Sequence, residues 1–463
     1  MNKTTLEFVA KAVGGEIVAG ADICITGVSI DSRGELGGKL FVPFKGARAD
    51  GHDFIEAAFS AGAAAALTER IDTKAPPNAG LIRVKSAAEA LKSLAATYLA
   101  TLDVRVVGIT GSAGKTTTKD MTAAVLSKRY CTLKTEGNFN NEIGLPLTVF
   151  RLNDTHRYAV IEMGMNHLGE IDRLSKIVRP DIAIITNIGM AHVENLGSRE
   201  GILQAKTEIF NHLRGGGVAV LNRDDDMLRG IFHKLERLAC FGLNRPEKGS
   251  LLDVWAAEIE AEGLGATRCT VYIRDESGKE KSFVIKISIP GSHMVENALA
   301  AVAVGHLAGL STEEIQAGIE EFTPTKMRMD ISEHNNMTII NDAYNASPDS
   351  MLAALDTLAK ARGRRVAVLG VMAELGEYSE NLHIDVARRA VACADVVVLV
   401  GRAFMVGYEA AAAANNIYYF KSQEDMLEQL QGLLEPGDVL LIKAARALGF
   451  ERTVKVLRGE NDG

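Results

Sequence analysis

Residues 104–121 read VRVVGITGSAGKTTTKDM. A β-branched apolar run ends at Thr110 and passes through small residues into a helix-forming stretch that opens Gly114-Lys115-Thr116. At such a strand–helix junction small residues let backbone N–H groups curl around phosphate oxygens, while the helix behind presents the positive end of its dipole. Lys115 is placed to neutralise terminal phosphates and Thr116 to set its hydroxyl on a magnesium ion. Gly111, Ser112, Ala113, Gly114 and Thr117 complete the candidate cradle. An ordinary glycine turn is the rival reading, and Gly-Lys-Thr at this junction disfavours it. The loop departs from GxxxxGK[ST], since Ile109 stands where the first glycine belongs; Gly111 instead makes it GxxGKT.

Outward from this loop the strand–helix rhythm repeats. YAVIEMG (158–164), DIAIITNIG (181–189) and GVAVLN (217–222) are apolar runs separated by helix-length segments, which predicts a mainly parallel sheet covered by helices. Between 251 and 290 short pieces such as CTVYI and SFVIKISI predict a hairpin. FTPTKMRMD (322–330) reads as a linker, and beyond it TIINDAY, RVAVLG, DVVVLVG and DVLLIKA predict a second open α/β sheet close to the Rossmann type. Before the loop, an Ala-rich segment, the breaker APPNAG and the helical AAEALKSLAATYLA form a smaller region. The expected fold is therefore α/β in three domains. These are a small N-terminal α/β domain (1–103), a central phosphate-loop ATPase domain with a mainly parallel sheet (104–322), and a C-terminal Rossmann-like domain (323–463).

The length agrees, because 463 residues with 47% hydrophobic and 24% charged is enough for about three separate cores. The net charge of -8 argues against a general nucleic-acid binder, but leaves room for a local basic site for a phosphorylated small molecule. Cys24, Cys131, Cys240, Cys269 and Cys393 are scattered and form no CxxC pair, so neither a disulfide framework nor a zinc site is expected and a reducing cytoplasm fits. The N-terminus lacks the apolar core of a signal peptide, and no apolar run approaches the roughly 18 residues of a membrane span.

Candidate polar groups stand out at and beyond strand ends. Glu162 follows YAVI, His192 follows TNIGMA, and Lys206 lies in the helical QAKTEIF. Taken singly, each has a structural reading, as a buried carboxylate, a satisfied histidine or a solvated lysine. Taken together behind a phosphate loop, they suit phosphoryl transfer, which needs metal and fixed cations to spread charge.

GxxGKT resembles the loop of the Mur ligases and folylpolyglutamate synthases. TEGNFNNEIGLPLT, IEMGMNHLGEI, NIGMAHVENLGSREGILQAKTEIF, GSHMVENALAA, NDAYNASPDSM and VSIDSRGELGGKLFVPFKGARADGHDFI resemble the Mur ligase family across all three regions. Within it they are most similar to the member that adds D-alanyl-D-alanine to UDP-N-acetylmuramoyl-tripeptide. The resemblance implies an ATP-dependent ligase of peptidoglycan precursor synthesis that works through an acyl phosphate, in the cytoplasm, as a monomer. It implies two magnesium ions held by Thr116, Glu162, His192 and a carbamylated Lys206, with Lys115, Lys206, His192 and Asn138 as the catalytic set. Asn138, Asn140 and Asn141 would lie by the reacting phosphate and the muramoyl substrate. Asn297 would approach adenine, Arg328 the phosphates, and Asp342, Tyr344 and Asn345 the nucleotide from the third domain. Ser29, Asp31, Ser32 and Arg33, with Lys45, Gly46, Arg48, Asp50 and His52, would hold the UDP end. Met294, Val371, Ala444 and Ala445 depart from the family pattern, which has Asn, Asp and Gly-Ser there; Lys443 and Arg446 keep it. Rival readings are the ligase for the third residue, a folate polyglutamate ligase, a kinase, and a nucleotide-regulated muropeptide-binding protein. NDAYNASPDSM and AHVENLGS favour the D-alanyl-D-alanine ligase.

Overall fold

The computed structural model describes residues 1–246 and 250–460. Three large sheets follow one another along the chain: five strands before residue 84, nine between 105 and 287, and six between 330 and 443.

The central sheet runs, edge to edge, Glu280–Ile287, Thr267–Asp275, Leu252–Ala261, Leu238–Gly242, Val218–Asn222, Ile182–Ile185, Arg105–Thr110, Tyr158–Glu162 and Thr132–Lys134. From Leu252–Ala261 to Thr132–Lys134 all neighbours are parallel. Strands such as Tyr158–Glu162, Ile182–Ile185 and Val218–Asn222 are buried at every residue. Covered on both faces, they need continuous apolar runs rather than alternation. The phosphate-loop strand sits inside this sheet, so the loop opens beyond its carboxyl edge, where ligands of open α/β sheets bind.

The expected hairpin is instead a three-stranded antiparallel meander. Its first strand, Leu252–Ala261, also extends the parallel sheet through Leu238–Gly242. That strand escapes a simple pattern because its first half is buried on both sides and its second half is exposed. The ladder also shifts between Ala257 and Glu260.

The six-stranded sheet runs Asp330–His334, Met337–Asn341, Val439–Lys443, Arg365–Gly370, Val396–Val400 and Ile417–Phe420. It is parallel except for the first pair. Asn335 and Asn336, both at positive φ, make the two-residue turn that such a hairpin requires. The edge strand thus begins at the last residue of the stretch read as linker.

The N-terminal five-stranded sheet is parallel except where Glu16–Ala19 joins Gly80–Arg83. Helix Ala87–Leu99, capped by Ser86, buries Ala87, Ala90, Leu91, Leu94, Ala95, Tyr98 and Leu99, the i, i+3, i+4 stripe of an amphipathic helix. Its Tyr98 hydroxyl donates to the Leu152 carbonyl at 2.8 Å. Lys92 donates to Glu142 at 2.8 Å, and Glu142 also accepts from Arg173 Nε at 2.6 Å. The helix therefore ties the first sheet to the second. Among the described residues, no helix is long and apolar enough to cross a membrane.

Candidate active site

The phosphate loop is shaped by its glycines. Gly114 precedes helix Lys115–Leu126 at φ 79, and a Cβ there would lie 2.4 Å from Asn297 Oδ1. At Gly111, φ 151, a Cβ would lie 1.8 Å from Thr186 Oγ1. The loop is braced by the next strand's end: Asn187 O accepts from the Ser112 N–H at 3.0 Å and Asn187 Oδ1 from the Ala113 N–H at 2.8 Å. Thr186 Oγ1 donates to the Ala113 carbonyl at 2.6 Å. Lys115 folds over the loop, its Nζ donating to the Gly111 carbonyl at 2.7 Å. Burial lowers the Lys115 pKa, opposed by Glu162 and Glu374 and reinforced by Arg328.

Glu162, 3% exposed, ends the neighbouring strand. It accepts from Thr116 Oγ1 at 3.0 Å and from Asn140 Nδ2 at 2.9 Å. The hydroxyl and the carboxylate are hard-oxygen groups of the kind magnesium takes, while Asn140 turns its Nδ2 toward the carboxylate. Lys206 is 1% exposed, and among the described residues no carboxylate offsets its charge. Burial, reinforced by the Lys115 charge, pushes its pKa well below that of an ordinary lysine. A buried amine whose charged form is disfavoured is a better nucleophile than an ordinary lysine. Among the described residues no three His, Cys, Asp or Glu side chains are grouped to hold a metal. Of the residues expected to hold an ion, Thr116 and Glu162 are in direct contact at 3.0 Å.

The C-terminal sheet closes over this loop. His192, at φ 65, meets the Glu374 carboxylate through its ring Nδ1. Asp349 Oδ2 accepts from the Met190 N–H at 3.1 Å, and Tyr378 donates to the Gly197 carbonyl at 3.1 Å. Between the sheets lies a cavity of about 670 Å³, lined by residues 112–117, Asn187, His192, His293, Met294, Glu296, Asn297, Arg328, Asp342, Asn345, Glu374, Lys443 and Arg446 among others. The Arg328 guanidinium lies 4.1 Å over the Tyr344 ring, and its Nε is buried without a hydrogen-bond partner. Lys443 Nζ donates to Asp342 Oδ2 at 2.5 Å and to the Asn345 carbonyl at 2.9 Å. Met294, where the family pattern has Asn, is 4% exposed and packs its sulfur 3.9 Å from Asn297 Nδ2. Asn297 accepts from Thr118 Oγ1 at 3.0 Å. Ala444 is buried against Gly370, and the Ala445 N–H donates to the Val371 carbonyl at 3.1 Å. The structure thus brings together Lys115, Thr116, His192, Asn297, Arg328, Asp342 and Asn345 in one cavity.

The remaining expected residues are placed differently. Asn138 is exposed, while Asn141 Oδ1 accepts from the Ile143 and Gly144 N–H groups at 3.1 and 2.9 Å, capping helix Gly144–Val149. In the N-terminal domain Asp50 bonds His52 Nδ1 at 2.7 Å and Arg70 at 2.8 Å. His52 is buried and accepts from the Glu69 N–H at 3.1 Å. These two side chains brace the loop from inside, leaving Lys45, Gly46 and Arg48 exposed. Arg33 forms a two-point pair with Asp31, both bonds 2.9 Å, beside Ser29 and Ser32. Sequence reasoning did not single out Glu374, Asp349, Thr186 or Asn187. All four lie inside strand–loop stretches already quoted or flanking them, but their partners come from distant segments.

Three family models match the chain: Mur ligase family, catalytic domain, over 24–99; Mur ligase middle domain over 109–305; and Mur ligase, glutamate ligase domain, over 327–446. The UDP-N-acetylmuramoyl-tripeptide–D-alanyl-D-alanine ligase of Bacillus subtilis is 39% identical over 99% of both chains. A MurF crystal structure from Acinetobacter baumannii superposes with a TM-score of 0.89 at 32% identity, covering 99% of this chain and 100% of that one. The MurF ligase of Thermotoga maritima, solved in complex with ADP, gives a TM-score of 0.80 at 30% identity over 94% and 97%. Full-length similarity in sequence and in fold, with the phosphate loop and cavity just described, establishes that the chain belongs to the Mur ligase family.

Proposed function

We infer that this chain is an ATP-dependent ligase that joins D-alanyl-D-alanine to UDP-N-acetylmuramoyl-tripeptide, as the names of its full-length relatives state for them. The observation that carries the reading is the single cavity in which the phosphate loop, His192, Arg328 and Lys443 converge. A carboxylate and an amine do not condense unaided. Transfer of the terminal phosphoryl group of ATP to the tripeptide carboxylate gives an acyl phosphate, and the dipeptide amine then displaces phosphate.

Each residue has a part in this scheme. The loop amides and Lys115 hold the triphosphate, and Arg328 meets it from the opposite wall. Asn297 and its neighbours face the nucleoside, with Asp342, Tyr344 and Asn345 shaping the third-domain side. Two magnesium ions, held by Thr116, Glu162, His192 and a carbamylated Lys206, would supply charge neutralisation for phosphoryl transfer. Asn138 and Asn140 lie at the carboxylate end, with Asn141 setting their loop. The loops at 29–33 and 45–52 take the UDP moiety, through backbone amides and the exposed Arg33, Lys45 and Arg48. The C-terminal domain receives the dipeptide and excludes water, which protects the acyl phosphate from hydrolysis. The reaction belongs to a cytoplasmic monomer.

The test is direct. Wild-type protein is given ATP, UDP-muramoyl tripeptide and D-alanyl-D-alanine, and phosphate release and product mass are measured. Phosphate release that does not depend on the dipeptide, or no release, rejects the assignment.

A further inference from the structure

The linker between the central and C-terminal sheets carries two non-glycine residues in left-handed conformation, Met327 at φ 63 and Met329 at φ 50. Such backbone is unfavourable for residues with a Cβ and persists only where the surroundings over-determine it. Those surroundings are specific. On the C-terminal side the Tyr344 N–H donates to the Met327 carbonyl at 3.2 Å, and the Met329 N–H to Asp342 Oδ1 at 3.1 Å. On the central side the Thr325 hydroxyl donates to Asp120 Oδ2 at 2.6 Å.

Asp120 is 4% exposed and sits on helix Lys115–Leu126, which begins at the phosphate loop. Its charge is balanced by Lys134 at 2.8 Å and Lys119 at 3.5 Å. Lys119 is itself buried and lies 3.6 Å from Glu162. Between the two sets of holds stands Arg328. Its N–H donates to the Thr325 carbonyl at 3.2 Å, and its guanidinium enters the cavity across Tyr344.

We propose that Asp120 is a positioning residue: through Thr325 it pins the start of the strained linker and so sets the direction in which Arg328 enters the cavity. The proposal rests on the nucleotide reading of that cavity. Lys115 and Asp120 share one helix, so the same rigid body that forms the phosphate loop also fixes the arginine that faces it. A hydroxyl donating to a buried, ionised carboxylate is directional and stronger than a neutral hydrogen bond. Without it the linker relaxes toward commoner backbone conformations, and Arg328 loses its aim without losing its charge. Asp120 and Thr325 touch no substrate in this scheme; they act through Arg328.

The test uses the full chain with Thr325→Val, which removes the hydroxyl at nearly constant volume, and Thr325→Ser, which restores it. Thr325 is exposed apart from this bond, so both variants should fold. In Thr325→Val, turnover and ADP affinity should each fall about tenfold, the scale of one charge-assisted hydrogen bond. The KM for the UDP-muramoyl tripeptide should stay within about twofold, and the melting temperature of the unliganded protein should fall by no more than about 2 °C. Thr325→Ser should match wild type. Wild-type turnover in Thr325→Val overturns the proposal, as does an equal loss in Thr325→Ser or a melting temperature that falls in step with activity. Wild-type protein that binds no ADP overturns the nucleotide reading and the proposal together; normal ADP binding by wild type with an unaffected Thr325→Val overturns the proposal alone.

Discussion

His192, beyond the end of a central strand, and Glu374, beyond the end of a C-terminal strand, meet side chain to side chain at the cavity between their sheets. The pairing lowers the Glu374 pKa, chiefly through the hydrogen bond to His192. Glu374 also accepts the Glu194 N–H on its own carbonyl at 3.2 Å, so this contact holds the two sheets together at the site. Glu374→Gln keeps the shape and removes the charge. It should lower turnover roughly fivefold, about 1 kcal/mol for a partly exposed pair, and increase amide exchange in residues 189–197. Unchanged turnover and exchange would show that the pair does not contribute to closure.

Gly114→Ala should abolish tight nucleotide binding. A left-handed residue with a Cβ costs about 1–2 kcal/mol, and the new methyl would meet Asn297 Oδ1 at 2.4 Å. Titration calorimetry with ADP should show an affinity at least about tenfold weaker. Wild-type affinity would mean that the loop's shape does not govern binding.

Lys206→Ala should remove activity, and short carboxylates added to the assay should restore part of it. Burial disfavours the charged form of the Lys206 amine, which favours its reaction with carbon dioxide. Wild-type protein in labelled bicarbonate should show a carbamate carbon resonance that is missing in the variant. Full activity in Lys206→Ala would remove this lysine from the site.

Glu296 lines the same cavity, and burial, reinforced by Asp224, raises its pKa from 4.5 to about 7. The folded protein therefore holds this proton more tightly than the unfolded chain. Between pH 4.5 and about 7 the native state binds the extra proton, so this group's contribution to stability falls as pH rises through that window. Glu296→Gln removes the effect. Its melting temperature relative to wild type should rise from pH 5 to pH 8, and a constant difference would contradict the shift.

The phosphate loop was legible because its chemistry is local: Gly111, Gly114 and Lys115 lie within five residues and announce their backbone need directly. The parallel sheets were legible for the same reason, each buried strand being a short apolar run. Legibility failed where a feature depends on distant partners. Asp349 and Met190 are 159 positions apart, and nothing near either reveals the other. It failed again where one residue type serves two purposes. Asp50, His52 and Asn141 look alike as ligand-facing or loop-bracing groups, and in the fold all three brace loops. The strands Leu252–Ala261 and Asp330–His334 were missed because their burial changes along their length or stays partial.

The two margins of the nine-stranded sheet bear on how the protein behaves when crowded. An open sheet leaves a row of unpaired N–H and C=O groups at each edge, a template for strands of other molecules. One margin here is Thr132–Lys134, only three residues long. The other, Glu280–Ile287, carries Lys281 and Lys286 at exposed positions. A strand too short to template and a strand studded with ammonium groups are both poor seeds for aggregation. The sheet that builds the cavity can thus be wide and apolar at its centre while its rims are poor templates for added strands.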